Sequence, residues 1–104
     1  MLAQKQELIL KVFSIKRFFV NEIIREKILL NFKKEIPYSV EVITEDFKEE
    51  QTIIKIRSII IVERDSQKGI IIGHRGAAIK NVGTKARIDL ESFFNKKIFC
   101  QWNN

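Results

Sequence analysis

The residues best suited to chemistry in this chain lie in the segment 70–79, Ile-Ile-Ile-Gly-His-Arg-Gly-Ala-Ala-Ile. An apolar run ends at Gly73, and Gly76 closes a Gly-x-x-Gly turn that holds His74 and Arg75. Glycine adds no side-chain bulk and adopts backbone angles that other residues resist, so the main chain can approach a ligand there. The Arg75 guanidinium can bind a phosphate through two hydrogen bonds. The pattern predicts an anion-binding turn.

The helix that follows this turn should strengthen the site. The N–H groups of Gly76, Ala77 and Ala78 are expected to lack intrahelical partners, and a helix dipole adds about half a positive charge at that end. Lys68 and Lys80 lie about one turn to either side. A nucleotide strand has phosphates on one edge and flat bases on the other, so it would use the amides, the cations and the apolar residues together.

Size and composition favour one small domain with an anionic partner. The chain has 104 residues and a net charge of +6, from 19 basic and 13 acidic residues. This excess raises the odds of nucleic acid or a membrane surface without choosing between them. The single cysteine, Cys100, excludes an internal disulfide, and one Cys with one His offers no metal-ligand spacing, so neither metal nor cofactor is predicted. No signal peptide or membrane span is recognisable, so a cytoplasmic protein is expected.

The first half of the chain predicts a helix and a strand. Apolar residues recur at helical spacing from about Phe18 to Phe32, whereas residues 1–16 follow no clean period. Pro37 forbids further helix. Tyr38, Val40 and Val42 then alternate with polar residues, as in a strand with one buried face. Residues 45–50 are mostly acidic, and Glu45, Asp46, Glu49 and Glu50 are expected to form a solvated hairpin tip.

The second half predicts four further elements. Ile54, Ile56, Ile60 and Val62 share one face of a second strand that should pair antiparallel with the first. A short helix over 67–72, capped by Asp65 or Ser66, should end at Gly73. A final strand covers 98–102. Between the turn and this strand lies a long helix that Asn95 should end. The apolar stripe of the long helix is Ile79, Val82, Ala86, Leu90, Phe93 and Phe94. Gly83 beside that stripe suggests a close approach to a strand.

With this α-β-β-α-α-β order, the chain resembles the K-homology (KH) domain of type II. Four blocks, Arg17–Val20, Glu22–Lys27, Glu35–Val40 and Gln67–Gly73, are similar to the C-terminal domain of the Era-type ribosome-assembly GTPases, and the resemblance covers about residues 17 to 99. It implies an α+β fold with a three-stranded mixed sheet and helices packed on one face. The implied domain is 17–104, preceded by a leader, 1–16, of uncertain structure.

The resemblance also implies a site and a ligand. In that family the loop clamps the backbone of about four single-stranded nucleotides whose bases lie along an apolar groove. Carried over, the clamp is Gly73, His74, Arg75 and Gly76, flanked by Lys68, Ala77 and Lys80. The implied groove is walled by Ile70, Ile72, Ile79, Ile61 and Val62. The implied partner is the 3′ end of small-subunit ribosomal RNA, on the small ribosomal subunit during ribosome biogenesis. Membrane association stays open, and no small-molecule substrate is expected.

The chain departs from the family in having neither Gly-x-x-x-x-Gly-Lys-Ser/Thr nor Asn-Lys-x-Asp. It is therefore expected not to be an enzyme and not to bind or hydrolyse GTP. The main prediction is a non-catalytic RNA-binding module. The alternative is a truncated KH fold that serves as an interaction or regulatory module without binding RNA. Cys100 is expected to be a buried structural thiol, and a short last strand would leave Trp102 exposed.

Overall fold

The computed structural model describes residues 2–32 and 40–103. Its elements in chain order are α1 (Leu2–Asn31), β1 (Glu41–Glu49), β2 (Ile53–Ile61), α2 (Asp65–Ile72), α3 (Ala77–Phe94) and β3 (Lys97–Asn103). A single 3₁₀ turn, His74–Gly76, joins α2 to α3. The predicted α-β-β-α-α-β order is confirmed.

The three strands form one mixed sheet in the order β1-β2-β3. β1 pairs with β2 antiparallel, and β2 pairs with β3 in parallel. The hairpin between the first two strands is tight: the Glu50 N–H donates to the Ile53 carbonyl at 2.9 Å. β3 can be parallel to β2 because α2 and α3 supply the long crossover that a parallel pair requires. Both the mixed sheet and the antiparallel pair agree with prediction.

β1 extends further toward its C-terminal end than predicted. The acidic segment expected to form a connection is strand up to Glu49, and a bulge between Thr44 and Asp46 shifts the alternation so that Phe47 is buried. The predicted solvated tip is therefore wrong for Glu45, Asp46 and Glu49, which form ion pairs with cations of neighbouring elements. The predicted start of this strand, Pro37 and Tyr38, lies outside the described residues.

The core lies between one face of the sheet and the helices. Strand residues that alternate inward meet apolar stripes of α1 and α3, because each element has one face to bury. The fully buried members include Val20, Ile24, Ile28, Ile54, Val82, Ala86 and Leu90. α1 runs antiparallel to α3: Phe19 stacks on Phe93 near one end, and Asn31 accepts hydrogen bonds from Asn81 and Lys85 at the other. Phe93, predicted in the stripe, is largely exposed on its other side.

α1 begins far earlier than predicted, since residues 2–16 continue the same helix without a break. Residues 4–15 are all exposed, which explains the absence of a clean apolar period: no packing against the core selects one face. This half contacts the sheet through Phe13, edge-on to Phe47, and through the ion pair of Lys16 with Glu49. We call residues 2–16 the projecting half of α1.

The remaining helix ends are close to prediction. Arg64, rather than Asp65 or Ser66, is the N-cap of α2, and its N–H donates to the Gln67 side-chain oxygen at 3.0 Å. Gly73 ends α2, with its N–H on the Gly69 carbonyl. Asn95 ends α3 in the left-handed region at φ 55°. Both predicted helix stops are confirmed.

Candidate nucleic-acid interface

The turn between α2 and α3 has an unusual main chain. Gly73 has φ 75° and ψ −179°, a region open essentially only to glycine. Arg75, at φ 53° and ψ 31°, and Gly76, at φ 74°, follow in the left-handed region. A non-glycine residue there costs about 1–2 kcal/mol, so Arg75 is held under strain at the tip of the turn with its side chain exposed. Such strain is typical of functional sites.

Two of the three amides that the sequence indicated as free are paired. The Gly76 N–H donates to the Gly73 carbonyl at 3.2 Å, and the Ala77 N–H donates to the His74 carbonyl, because the turn closes as a 3₁₀ helix. The expectation of unpaired donors at Gly76 and Ala77 is therefore wrong. Among the described residues, none of the hydrogen bonds that end α2 or close this turn is donated by the N–H group of His74 or Arg75. Adjacent unpaired amides of this kind form anion-binding concavities.

Gly73 is also required by its surroundings. A methyl group on its Cα would lie 2.6 Å from the Ala78 Cβ and 2.9 Å from the Ala78 nitrogen. The first turn of α3 therefore packs directly against the glycine main chain. Gly76, in contrast, has open space where a Cβ would be. The two glycines have different roles. Gly73 allows its main chain to contact the first turn of α3, whereas Gly76 only provides a backbone angle.

The other predicted site residues fall into two groups. Lys68, Ile70, Ala77 and Lys80 are exposed around the turn, and Ile72 and Ile79 are half-buried beside it. Ile61 belongs to a different surface, because it alternates with the buried Ile60 and so lies on the sheet face without helices, 42% exposed. Val62 follows the strand and packs against the core. The structure thus gathers the α2–α3 residues at the turn but does not bring Ile61 to them.

A cavity of about 230 Å³ lies between α3 and β3, and Lys80, one helical turn after Gly76, is its lining residue nearest in sequence to the 73–76 turn. Lys80, Thr84 and Arg87 line its α3 side at the spacing of one helix face, and Cys100 and Trp102 line its strand side. The cavity therefore combines two cations and a hydroxyl with an indole ring, which suits a phosphate and a stacked base.

Gly83 shapes the cavity. A Cβ at Gly83 would lie 2.9 Å from the Trp102 indole nitrogen, so the predicted close approach to a strand is confirmed. Trp102 is half-buried on this glycine, whereas the sequence suggested an exposed ring. Thr84, Arg87 and Trp102 were missed as site residues. The spacing from Lys80 to Thr84 and Arg87, on the side of Gly83, was the available signal.

Cys100 in this cavity is a neutral thiol at physiological pH. Burial raises its pKa to about 11, because the thiolate would lose solvation. A thiol in that state is a poor nucleophile. The role of Cys100 is to provide apolar lining.

The projecting half of α1 leaves the turn uncovered. Lys16 binds Glu49, at the end of β1 farthest from the turn, whereas Asn31 near the other end of α1 meets the first turns of α3. Within residues 2–32 and 40–103, no helix is long and apolar enough to cross a membrane. The same ranges hold no group of three metal-ligating side chains.

Comparison with known proteins gives a family match. Residues 35–102 match the KH domain family. GTPase Era of Syntrophus aciditrophicus is 52% identical over 88 residues, which cover 83% of this chain and 29% of that protein. GTPase Era of Coxiella burnetii is 49% identical over 85 residues, with the same 29% of its length covered. The chain therefore spans less than a third of these relatives.

Solved structures give the same result. A variant of Era from Aquifex aeolicus bound to GDP and AlF4⁻ superposes with a TM-score of 0.79 at 31% identity, covering 83% of this chain and 30% of that one. A second structure with the same score and identity holds Era with MgGDPNP and nucleotides 1506–1542 of 16S ribosomal RNA. At this identity and score, the likeness extends to the whole α-β-β-α-α-β arrangement.

Proposed function

This chain belongs to the KH domain family, and on that premise we propose that it binds single-stranded RNA and catalyses no reaction. The observation that carries the proposal is the geometry of the turn at 73–76, directly before α3. There the N–H groups of His74 and Arg75 donate none of the hydrogen bonds that close the turn, Arg75 has a strained backbone conformation, and the glycines leave the main chain accessible. A phosphate can settle on the His74 and Arg75 amides and receive the guanidinium of Arg75. The KH loop clamps about four nucleotides in this way.

The path of the bound strand follows from the cavity between α3 and β3. From the turn, the strand would run past Lys80 toward Arg87, about 10 Å along the α3 axis. The two cations would take phosphates, and the half-buried Trp102 would offer a face to a base. The RNA would therefore be held by its backbone at the turn and by its bases in the groove.

The RNA that we propose is the 3′ segment of small-subunit ribosomal RNA, in ribosome assembly in the cytoplasm. Support comes from the similarity to Era proteins, one of which has been solved with nucleotides 1506–1542 of 16S ribosomal RNA. The net charge of +6 and the basic groove suit such a ligand. Because the matched region is under a third of those relatives, their GTPase activity is not carried to this chain.

The test is a titration of a single-stranded RNA of that 3′ sequence against the wild type and the variant His74→Asp with Arg75→Asp. We expect an affinity loss of at least about 50-fold, because charge-assisted hydrogen bonds are replaced by repulsion of phosphate. The wild-type log–log salt slope should be roughly −2 to −3.5 if three to five phosphates are neutralised. A duplex of the same sequence should bind more weakly.

The control changes charge equally but far from the turn. Lys5→Asp with Gln6→Glu lowers the net charge by three (two from Lys5, one from Gln6), as does the loop variant (two from Arg75, one from neutral His74). Both control residues are exposed on the projecting half of α1. Unchanged affinity in the loop variant, or an equal loss in the control, would contradict a site at the turn.

The alternative function is an interaction module without RNA binding. The projecting half of α1 favours it, since Leu8, Leu10 and Ile15 are each about two-thirds exposed. Apolar exposure on this scale is typical of surfaces that contact a partner. The same RNA titration separates the two functions, because the alternative predicts no affinity for single-stranded RNA.

A further inference from the structure

We propose that the RNA site does not end in the α3–β3 cavity but continues around the edge strand β3 onto the open face of the sheet, where Phe99 stacks a base and Lys48 and Lys55 bind phosphates. The proposal rests on the RNA-binding function proposed above. It assigns a second nucleotide-binding surface to the face that carries no helix.

Phe99 connects the two surfaces. It lines the cavity between α3 and β3, and it also lines a second cavity, of about 140 Å³, on the open face with Asp46, Lys48, Lys55 and Arg57. Its ring is 55% exposed, and β3 is an edge of the sheet. A strand leaving the first cavity therefore meets an exposed aromatic ring at the place where it can cross to the other face.

The open face presents a row of three residues across the sheet. Lys48 on β1 is directly opposite Lys55 on β2, and Lys55 is directly opposite Phe99 on β3. Neighbouring strands are about 4.8 Å apart, so the row spans about 10 Å. A base stacked on the ring would thus have its own phosphate and the next one within reach of the two ammonium groups.

The lysine pair is not explained by the fold. Like charges directly opposite each other on a sheet are destabilising. Lysine on an edge strand can serve to block aggregation, but Lys55 lies on the central strand, where that purpose does not apply. An anionic ligand would remove the repulsion.

The surrounding carboxylates contact Arg57 and Lys55 rather than Lys48. Glu45 and Asp46 are both within 3.3 Å of the Arg57 guanidinium, so these two carboxylates share one cation and the cluster keeps one negative charge. Lys55 has one exposed partner, Glu50, at 3.4 Å, a type of contact that is weak in water. No carboxylate of the described residues lies within 4 Å of the Lys48 ammonium. The Lys48 ammonium and the exposed Phe99 ring, in one row that continues the first cavity, thus point to a ligand that carries both phosphates and bases.

The experiment compares a 5-nucleotide and a 10-nucleotide single-stranded RNA that share the same 5-nucleotide core. The short RNA fills the turn and the first cavity, and the long one reaches the open face. Wild type should bind the long RNA at least about 10-fold more tightly. Phe99→Ala should weaken the long RNA by about 5-fold to 100-fold, the usual effect of removing one stacking ring.

A lysine variant separates the open face from the cavity that Phe99 also lines. Lys48→Gln with Lys55→Gln should leave the 5-nucleotide affinity within about twofold of wild type. For the 10-nucleotide RNA it should reduce the log–log salt slope by about 1.4, since each phosphate contributes about 0.7. Matched controls are Phe18→Ala, a ring of similar exposure, and Lys5→Gln with Lys11→Gln, all on α1.

The outcomes distinguish this proposal from the one on which it rests. If the long RNA gains nothing over the short one, or keeps its gain in both open-face variants, the extension is overturned while the loop site stands. If wild type binds neither RNA, the proposed function itself fails. Loss of the gain in the open-face variants, with the controls unchanged, supports the extension. Circular dichroism confirms that each variant is folded.

Discussion

The turn at 73–76 and the row Lys48–Lys55–Phe99 are two surfaces that carry cationic side chains and are built from different parts of the chain. The turn uses main-chain amides, fixed by backbone angles that only particular residues allow. The row uses the ends of side chains, placed by strand register. A main-chain site is therefore damaged by adding atoms, whereas a side-chain site is damaged by removing them. We therefore expect the largest losses of stability and RNA binding where a substitution adds atoms to the turn.

The largest effect should come from a methyl group at the turn. Gly73→Ala is expected to lower the free energy of unfolding by about 2–3 kcal/mol and to abolish RNA binding, because backbone angle and space both exclude the methyl group. Gly76→Ala meets no neighbour and should cost about 1–2 kcal/mol for its backbone angle alone. Urea denaturation and RNA titration measure both quantities.

Gly69→Ala is the matched control for these glycines. It lies inside α2, with no atom near its Cβ position and no special backbone angle, so it should stabilise the protein by up to about 1 kcal/mol. The order of stability should therefore be Gly69→Ala, wild type, Gly76→Ala, Gly73→Ala. An equal cost at Gly73 and Gly76 would show that the contact with Ala78 is unimportant.

A smaller effect is expected in the α3–β3 cavity, which lies between the turn and the row. Gly83→Ala gains about 1 kcal/mol of helix propensity but places its methyl group against the Trp102 ring, so the net change in unfolding free energy should stay within about 1 kcal/mol. Displacement of the ring should shift the emission of this single tryptophan to longer wavelength. Full stabilisation with unchanged emission would mean that the ring does not rest on Gly83.

Structural features that depend on residues close together in the chain could be predicted from the sequence. Glycine stops, the Asn95 cap and the buried alternation of β2 follow from residues close together in the chain, and they were predicted. The 3₁₀ closure of the turn was missed: the same Gly-x-x-Gly spacing also fits an ordinary helix start, in which Gly76 and Ala77 would keep their amides free.

Other features depend on distant parts of the chain. The row Lys48–Lys55–Phe99 requires the register of three strands and a bulge at Thr44, and neither is encoded in a short window. The projecting half of α1 was unclear for the opposite reason: with no core against it, its apolar residues keep no single face. A clean apolar period arises where a helix packs against a core, so a helix without such packing does not show one.

The most direct measurement of the central claim is a titration of ¹⁵N-labelled protein with the single-stranded 3′ RNA, followed by amide chemical shifts. The account predicts the largest shifts at the His74 and Arg75 amides, with smaller ones along α3 from Lys80 to Arg87. Shifts confined to the projecting half of α1, or saturable binding that leaves residues 73–78 unmoved, would contradict it.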